Sequence, residues 1–475
     1  MRSLSSSAQS TQVVSQAKTP IPPLTPRERR AAAGLAGIYG LRMLGLFLIL
    51  PVFVLYAQDL DGATPLLVGM AIGAYGLTQA ILQIPFGMLS DHIGRKPVIY
   101  GGLAVFVLGS LIAALATSIE GVILGRVIQG AGAVSAAVTA LTADLTRDEV
   151  RTRAMAGIGA SIGLAFGLAL ILGPAIARAW GLSGVFLATA MLAFGGILIL
   201  WLVVPNPDRQ SIHRDAEPVA SQLVGVLRDG QLLRLDFGIF SLHVMMTSLF
   251  LVIPQSIVDA GIPAEDHWTV YLPVLVASLV CMIPFIILAE RRGRIKPVFV
   301  GAIAALGATA SGLALWGSRL VPLMIVLALF FTAVNLLESL LPSTVSKIAR
   351  AGAKGTAMGV YSTSQFLGAF LGGTLGGAVH QAFGSAGVAV FAALCALLWL
   401  VVAATMTPPE RVRSQVIRLS RTLWVGDTLE SLGIQRQLLA IPGVRDALVD
   451  PEEGVAYLKV DSRELDSARL QAFSA

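Results

Sequence analysis

Gly87-Met-Leu-Ser-Asp91-His-Ile-Gly94-Arg95-Lys96-Pro97 is a charged, tightly turning segment between two long apolar runs. Gly87 permits a turn or a close approach, and Gly94 permits φ > 0. Asp91 is an acceptor, and Arg95 and Lys96 are fixed cations of the kind that mark a loop on the cytoplasmic side of a membrane. Two readings are open: a loop that merely orients the chain, and a moving joint in a transporter. A second segment bears on the choice. Glu290-Arg-Arg-Gly293-Arg294-Ile-Lys-Pro297 repeats the acid-to-Gly spacing of three and the Gly-Arg step, with its proline displaced by one. Gly94 and Gly293 stand 199 residues apart, about the length of six membrane spans with their loops.

Composition places the chain in lipid. Of 475 residues, 55% are hydrophobic and 13% charged, with a mean hydropathy of +0.78. Soluble domains carry roughly 25% charged residues. Runs of about 20 apolar residues suffice to span a bilayer. Twelve qualify, near 31–57, 66–89, 98–117, 121–143, 153–177, 183–204, 232–258, 268–289, 297–316, 320–344, 355–379 and 385–406. Their abundance of Gly and Ala suits close helix packing in a membrane. With the N-terminus in the cytoplasm, the cytoplasmic loops hold twelve Lys and Arg residues and the external loops only Arg178 and Arg319. That bias fixes a multi-pass orientation with both termini cytoplasmic. The pI near 9.5 therefore reflects membrane orientation and not a nucleic-acid partner.

Segment 1–30 lacks an apolar centre and is expected to be a disordered cytoplasmic tail, not a signal peptide. Charged segment 205–230 divides the spans into halves, 31–204 and 231–407. Parallel six-helix repeats with a substrate site between them are a transporter plan. After Pro408-Pro409, residues 410–475 form a small α+β module. A strand at Val416–Leu419 or Thr422–Val425, a helix at Leu429–Leu439, a hairpin from Ala447–Val449 to Val455–Val460 and a helix at Ser462–Phe473 give a ferredoxin-like order without its last strand. Similar modules bind copper through a cysteine pair; this one has no cysteine. Cys281 and Cys395 lie in apolar runs, as expected of small core residues.

Gly87–Ile99 resembles the motif between the second and third helices of the major facilitator superfamily almost position for position. Arg126-Val-Ile-Gln129-Gly130-Ala-Gly132 is similar to its second motif. Gly173-Pro174 is similar to the centre of a third, associated with drug:proton antiporters, although Ala177 replaces a glycine there. Arg42-Met-Leu-Gly-Leu-Phe and Tyr75-Gly-Leu-Thr-Gln-Ala-Ile-Leu-Gln-Ile-Pro-Phe-Gly resemble a bacterial efflux-type member with a small cytoplasmic C-terminal domain. The resemblance implies an all-α membrane protein of twelve transmembrane helices in two six-helix halves, in a bacterial inner membrane. It implies that Gly87, Asp91, Gly94, Arg95 and Asp144 form a conformational switch holding the outward-facing state. Asp91 would face the N-terminal end of the eleventh helix near Gly355-Thr356. The resemblance also assigns Arg126 to proton coupling.

The residues themselves name further candidates. A charge in mid-membrane costs about 2.5–3.5 kcal/mol on insertion scales and marks function or a buried pair. Arg42 is such a charge, open to binding an anion, pairing with a proton-carrying acid, or a structural role. Arg126 lies only a few residues inside its run, with Gln129 one turn on. Gln79 and Gln83, four apart, share a helix face, to line a cavity or tie helices together. His243, Asn335 and Glu338 complete the polar set of the second half, with Glu338 the candidate proton carrier. The expectation is a proton-coupled secondary transporter exporting small lipophilic or cationic compounds. Its alternatives are a proton symporter importing a small anion or sugar, and a membrane sensor acting through residues 410–475. The latter module is open to binding a ligand, a partner or itself. No phosphate-binding loop, metal cluster or nucleophile–base set points to an enzyme, ATP hydrolysis or a cofactor; the energy source would be the proton gradient.

Overall fold

The computed structural model describes residues 23–207, 220–408, 413–419, 428–450, 454–461 and 463–473. The first six spans comprise α1 (Pro26–Phe47) continued by α2 (Phe53–Tyr56), α3 (Pro65–Ile93), α4 (Arg95–Leu115), α5 (Ile119–Ala131) continued by α6 (Ser135–Asp144), and the 55-residue α7 (Asp148–Leu202). After the short α8 (Ala220–Leu227) come α9 (Gly230–Leu249) continued by α10 (Ile253–Asp259), α11 (Trp268–Glu290), α12 (Ile295–Trp316), α13 (Leu320–Ile348) and the 51-residue α14 (Lys354–Ala404). Among the described residues nine helices or helix pairs are long and apolar enough to cross a membrane. Gly181 (φ 63°) folds α7 into two spans and Gly384 (φ 67°) does the same for α14. Each turn needs positive φ, so a single glycine replaces an expected loop. The first span falls outside the apolar set because Arg27, Glu28, Arg29, Arg30 and Arg42 lie on α1. Twelve spans in two halves result.

Two boundaries differ from expectation. Helix begins at Pro26, inside the segment expected to be disordered. Thr25 and Glu28 make a reciprocal cap, with the Thr25 N–H donating to Glu28 Oε2 at 2.8 Å. Glu28 also accepts from Arg147 Nε at 2.7 Å, which pins this turn to the start of α7 and holds the carboxyl down at about 2. At the other boundary Gly87 makes no turn. It lies inside α3, which runs on to Ile93, and Gly94 (φ 103°) is the whole connection to α4. Cys281 also departs from expectation, being exposed on the outer face of α11, while Cys395 is half-buried.

The C-terminal module comprises β1 (Arg413–Arg418), α15 (Thr428–Leu439), β2 (Val444–Asp450), β3 (Val455–Val460) and α16 (Ser467–Gln471). Among the described residues the sheet is antiparallel in the order β1-β3-β2, the arrangement of three of the four strands of a ferredoxin-like fold. The expected alternative strand at Thr422–Val425 lies outside the described residues. The last helix is shorter than expected because Asp466 caps it, accepting from Arg469 N–H at 3.1 Å. The module sits on the α13–α14 connection. Ala351 N–H donates to Asp446 Oδ2 at 2.8 Å, and the buried Lys459 ammonium donates to the carbonyls of Ser346 and Lys347 at the end of α13. A cation there also complements the helix dipole.

Call the end carrying Gly94 and Gly293 the basic end. At the opposite end the halves meet backbone to backbone. A Cβ on Gly69 would stand 2.1 Å from Gly373 O, one on Gly73 2.7 Å from Phe370 O, and one on Gly76 2.5 Å from Phe366 O. Segments 48–54 and 249–253, next to this seam, are buried. Phe166 of the first half, backed by Phe47, packs on Phe250 and Phe331 of the second, 6.1 Å from Phe331 between ring centroids.

Candidate functional site

At the basic end, Arg95 is 1% exposed although it carries a full charge. Its guanidinium is paired with Asp91, lies 3.3 Å from Asp144 Oδ2, and donates to Ser90 Oγ at 2.8 Å. Ser90 in turn donates to Gly87 O at 2.6 Å. The expected switch residues are therefore brought together. They come from α3, α4 and the end of α6, all in the first half. A buried cation needs such compensation, since its desolvation alone costs several kcal/mol. Asp91 is the outermost member, its side chain 14% exposed. Thr356, expected opposite it, donates to Gln222 of α8 at 3.3 Å.

Deeper in the first half, Arg42 and Arg126 flank Tyr75. Arg42 Nη2 donates to Tyr75 Oη at 2.6 Å, Gln79 Oε1 at 2.9 Å and Gly132 O at 3.3 Å; Nη1 donates to Ser135 Oγ at 3.2 Å. Gln79 passes the chain to Gln83 Oε1 at 3.2 Å. Arg126 donates to the carbonyls of Ala71 and Ile72, both at 3.1 Å, and to Gln129 Oε1 at 2.9 Å; Gln129 donates to Ser110 Oγ at 2.7 Å. Its guanidinium lies 5.3 Å from the Tyr75 ring centroid, an attractive placement for a cation. Arg126 is 3% exposed; its shallow start in the sequence does not bring it to an interface, because the side chain reaches back to α3 carbonyls. Both arginines donate to neutral acceptors, Arg42 through its two terminal nitrogens while its buried Nε has no partner among the described residues, and among those residues neither touches a carboxylate.

In the second half His243 and Glu338 come together. His243 Nε2 is 3.4 Å from Glu338 Oε1 and 3.0 Å from Gln365 Nε2; Nδ1 is 3.2 Å from Ile239 O. A carbonyl only accepts, so Nδ1 carries a hydrogen. In neutral His243, Nε2 is then the lone pair facing both Gln365 and Glu338. The Glu338 side chain is 35% exposed and the His243 side chain 9%. Asn335, three residues from Glu338, turns away and donates to Ser278 Oγ of α11 at 3.2 Å.

Sequence reasoning missed Tyr75, Ser110, Gln365 and Asp236. Tyr75 and Gln365 lie one helical turn before Gln79 and after Tyr361, so polar spacing on one face was the available signal. Asp236, seven residues before His243 on α9, is 5% exposed and its Oδ2 has no hydrogen-bond partner among the described residues. A lone acid near the head of an apolar run gives little signal, since such acids usually mark an end.

A sequence model of the Major Facilitator Superfamily matches residues 35–372 and 235–443. The inner membrane transport protein YajR of Escherichia coli (strain K12) is 46% identical over 456 residues, covering 94% of this chain and 99% of that protein. The multidrug resistance protein MdtH of Aeromonas salmonicida (strain A449) is 25% identical over 344 residues, covering 71% of this chain and 85% of that one. Among solved structures, the human organic anion transporter MFSD10 (TETRAN) matches with a TM-score of 0.57 at 18% identity, over 80% of this chain and 100% of that chain.

Proposed function

The chain belongs to the Major Facilitator Superfamily, and from that premise we propose that it is a proton-coupled secondary transporter exporting small lipophilic or cationic compounds by alternating access. It is a membrane transporter and not an enzyme. We place it in the bacterial inner membrane with both termini and the basic end cytoplasmic, as loop charge and the similarity to YajR support. Needing no cofactor, it draws on the proton gradient.

The observation that carries proton coupling is the His243–Glu338 contact of 3.4 Å. Nδ1 is committed to Ile239 O, so an added proton sits between Nε2 and the carboxylate. The pair goes from net negative to neutral whichever atom holds the proton. Gln365 then loses its acceptor at Nε2 and its amide must turn, which carries the charge change to α14. That helix is also the one in backbone contact with α3 at the opposite end, so a shift of α14 loosens or tightens the seam between the halves. At the basic end, the Asp91–Arg95–Asp144 network holds the Gly94 connection in shape. When the opposite end opens, Asp91 meets the α14 N-terminus near Gly355 and Thr356, where the helix dipole favours an acid. Arg126 and Gln129 couple to the proton through Tyr75 and Arg42. Gln79 and Gln83 supply hydrogen bonds to a polar part of the cargo.

Proton movement in proteoliposomes, followed with a pH-sensitive dye on adding ethidium and other lipophilic cations, tests this. Proton flow opposite to the cation is expected, and Glu338→Gln should abolish it. Flow of cation without protons, or unchanged coupling in Glu338→Gln, would overturn it. A second reading, import of a small anion with a proton, is favoured by Arg42 and Arg126 having neutral acceptors alone among the described residues. Proton flow in the same direction as an added organic anion would establish that reading. A sensor role for residues 410–475 would require signalling lost on their deletion from a parent without transport.

A further inference from the structure

We propose that the second half binds an anionic phospholipid at its basic end, the phosphate at Arg294 and an acyl chain in the groove between α11, α12 and α13. Two cavities adjoin there. One, about 250 Å³, is lined by Gly293, Arg294, Lys296, Pro297 and Pro408. The other, about 290 Å³, is apolar and is walled by Phe285, Leu288, Gly301, Ala305, Leu329 and Leu336. Arg294 and Pro297 line both, so a cationic chamber opens directly onto a greasy one.

The groove lies on the outside of the bundle, since α12 packs on α11, α13 and α14 of its own half. Phe285 and Leu329 are exposed along it, and Gly301 has open space where a side chain would be. The polar group inside it, the Thr332 hydroxyl, already donates to Ala328 O at 2.6 Å. From Arg294 to Ala305 a helix rises about 16 Å, half of the roughly 30 Å hydrocarbon core. The groove therefore has the depth of one leaflet, and a hydrocarbon chain is the matching occupant.

The repeat explains why the head should be anionic. In the first half the arginine after the connecting glycine is buried between Asp91 and Asp144. In the second, Arg294 is exposed and its guanidinium has no acceptor among the described residues. The acid that precedes it, Glu290, is occupied by Lys347 at 2.7 Å and by Ser343 at 3.2 Å. Two hundred residues on from Asp144 stands Thr344, whose hydroxyl donates to Leu340 O at 2.7 Å. Arg291 beside it is likewise exposed. A guanidinium pairs bidentately with phosphate, and the surface of an anionic leaflet attracts basic groups near it.

The test is lipid retention by the full-length protein, read by native mass spectrometry in titrations with phosphatidylglycerol and with phosphatidylcholine of the same acyl chains. The wild type should bind phosphatidylglycerol at least tenfold more tightly. Arg294→Gln should erase that preference, Gly301→Phe should weaken both lipids, and Arg319→Gln at the opposite end should change neither. Equal binding of the two lipids by the wild type would overturn the proposal, as would wild-type retention by both variants. Glycerol phosphate binding as tightly as the lipid would reduce the site to an anion site. Displacement of phosphatidylcholine and phosphatidylglycerol alike by ethidium would make the groove a cargo path and would also overturn it.

Discussion

The two glycine connections, Gly94 and Gly293, share one turn geometry and differ in the fate of the arginine that follows. Both glycines have positive φ. The lysine two or three residues on plays one part in both: Lys96 donates to Val204 O at 2.6 Å and Lys296 to Ala404 O at 2.8 Å, each 108 residues along the chain. The arginines differ. Arg95 is buried in a network of two carboxylates and a hydroxyl, while Arg294 stands in the open and its local acid is tied to Lys347. Geometry of the turn is thus a property of the repeat, and the buried charge is a property of the first half. A switch belongs where charge is both desolvated and specific, because only there does moving one partner cost several kcal/mol.

The largest expected effect separates the two arginines. Arg95→Gln strands two carboxylates and should lower stability in detergent by about 3–5 kcal/mol, whereas Arg294→Gln should stay within about 0.5 kcal/mol. Equal losses in thermal or denaturant unfolding would break the distinction. Next comes the seam at the opposite end. Gly69→Leu cannot be accommodated against Gly373 O and should force that end open, raising thiol labelling of a cysteine at Leu251 by at least tenfold, about 1.4 kcal/mol in population. Gly101→Leu, facing open space, should leave labelling unchanged.

Two smaller effects sharpen the contrast between paired acids. Glu28 is held at about 2 by Arg147. Its folded value lies below its unfolded one, so its contribution is present above about pH 4.5 and fades as pH falls towards 2. Glu28→Gln should cost about 1 kcal/mol at pH 7, screening at the half-exposed Arg147 keeping it small, and progressively less as pH falls through about 2. Glu290→Gln breaks a more exposed pair and should cost about 0.5 kcal/mol in the same unfolding measurement.

The architecture was legible because its causes are local. Twenty apolar residues must be helical in a bilayer, and the Gly-Arg step announced the repeat by its spacing. Asp91, Arg95 and Asp144 could be joined only through the resemblance, since Asp144 lies 49 residues from Arg95 in sequence. His243 and Glu338 were named separately, but nothing in the 94 intervening residues says that their faces meet. Gln365 and Tyr75 were lost for the same reason: a polar residue on an apolar helix shows its presence, not its direction. Gly87 stayed open between a turn and a close approach because glycine signals both alike, and only the turn is ruled out by its place inside α3.

The central claim is that the Asp91–Arg95–Asp144 network, and not its exposed counterpart, governs which end of the molecule is open. Spin labels at Arg153 of the first half and Arg350 of the second, both exposed at the basic end, report the separation of the halves by pulsed electron resonance in lipid nanodiscs. Asp91→Asn should shift the distance distribution towards longer separations, and Glu290→Gln should reproduce the wild type. A folded Asp91→Asn protein with the wild-type distribution would contradict the claim.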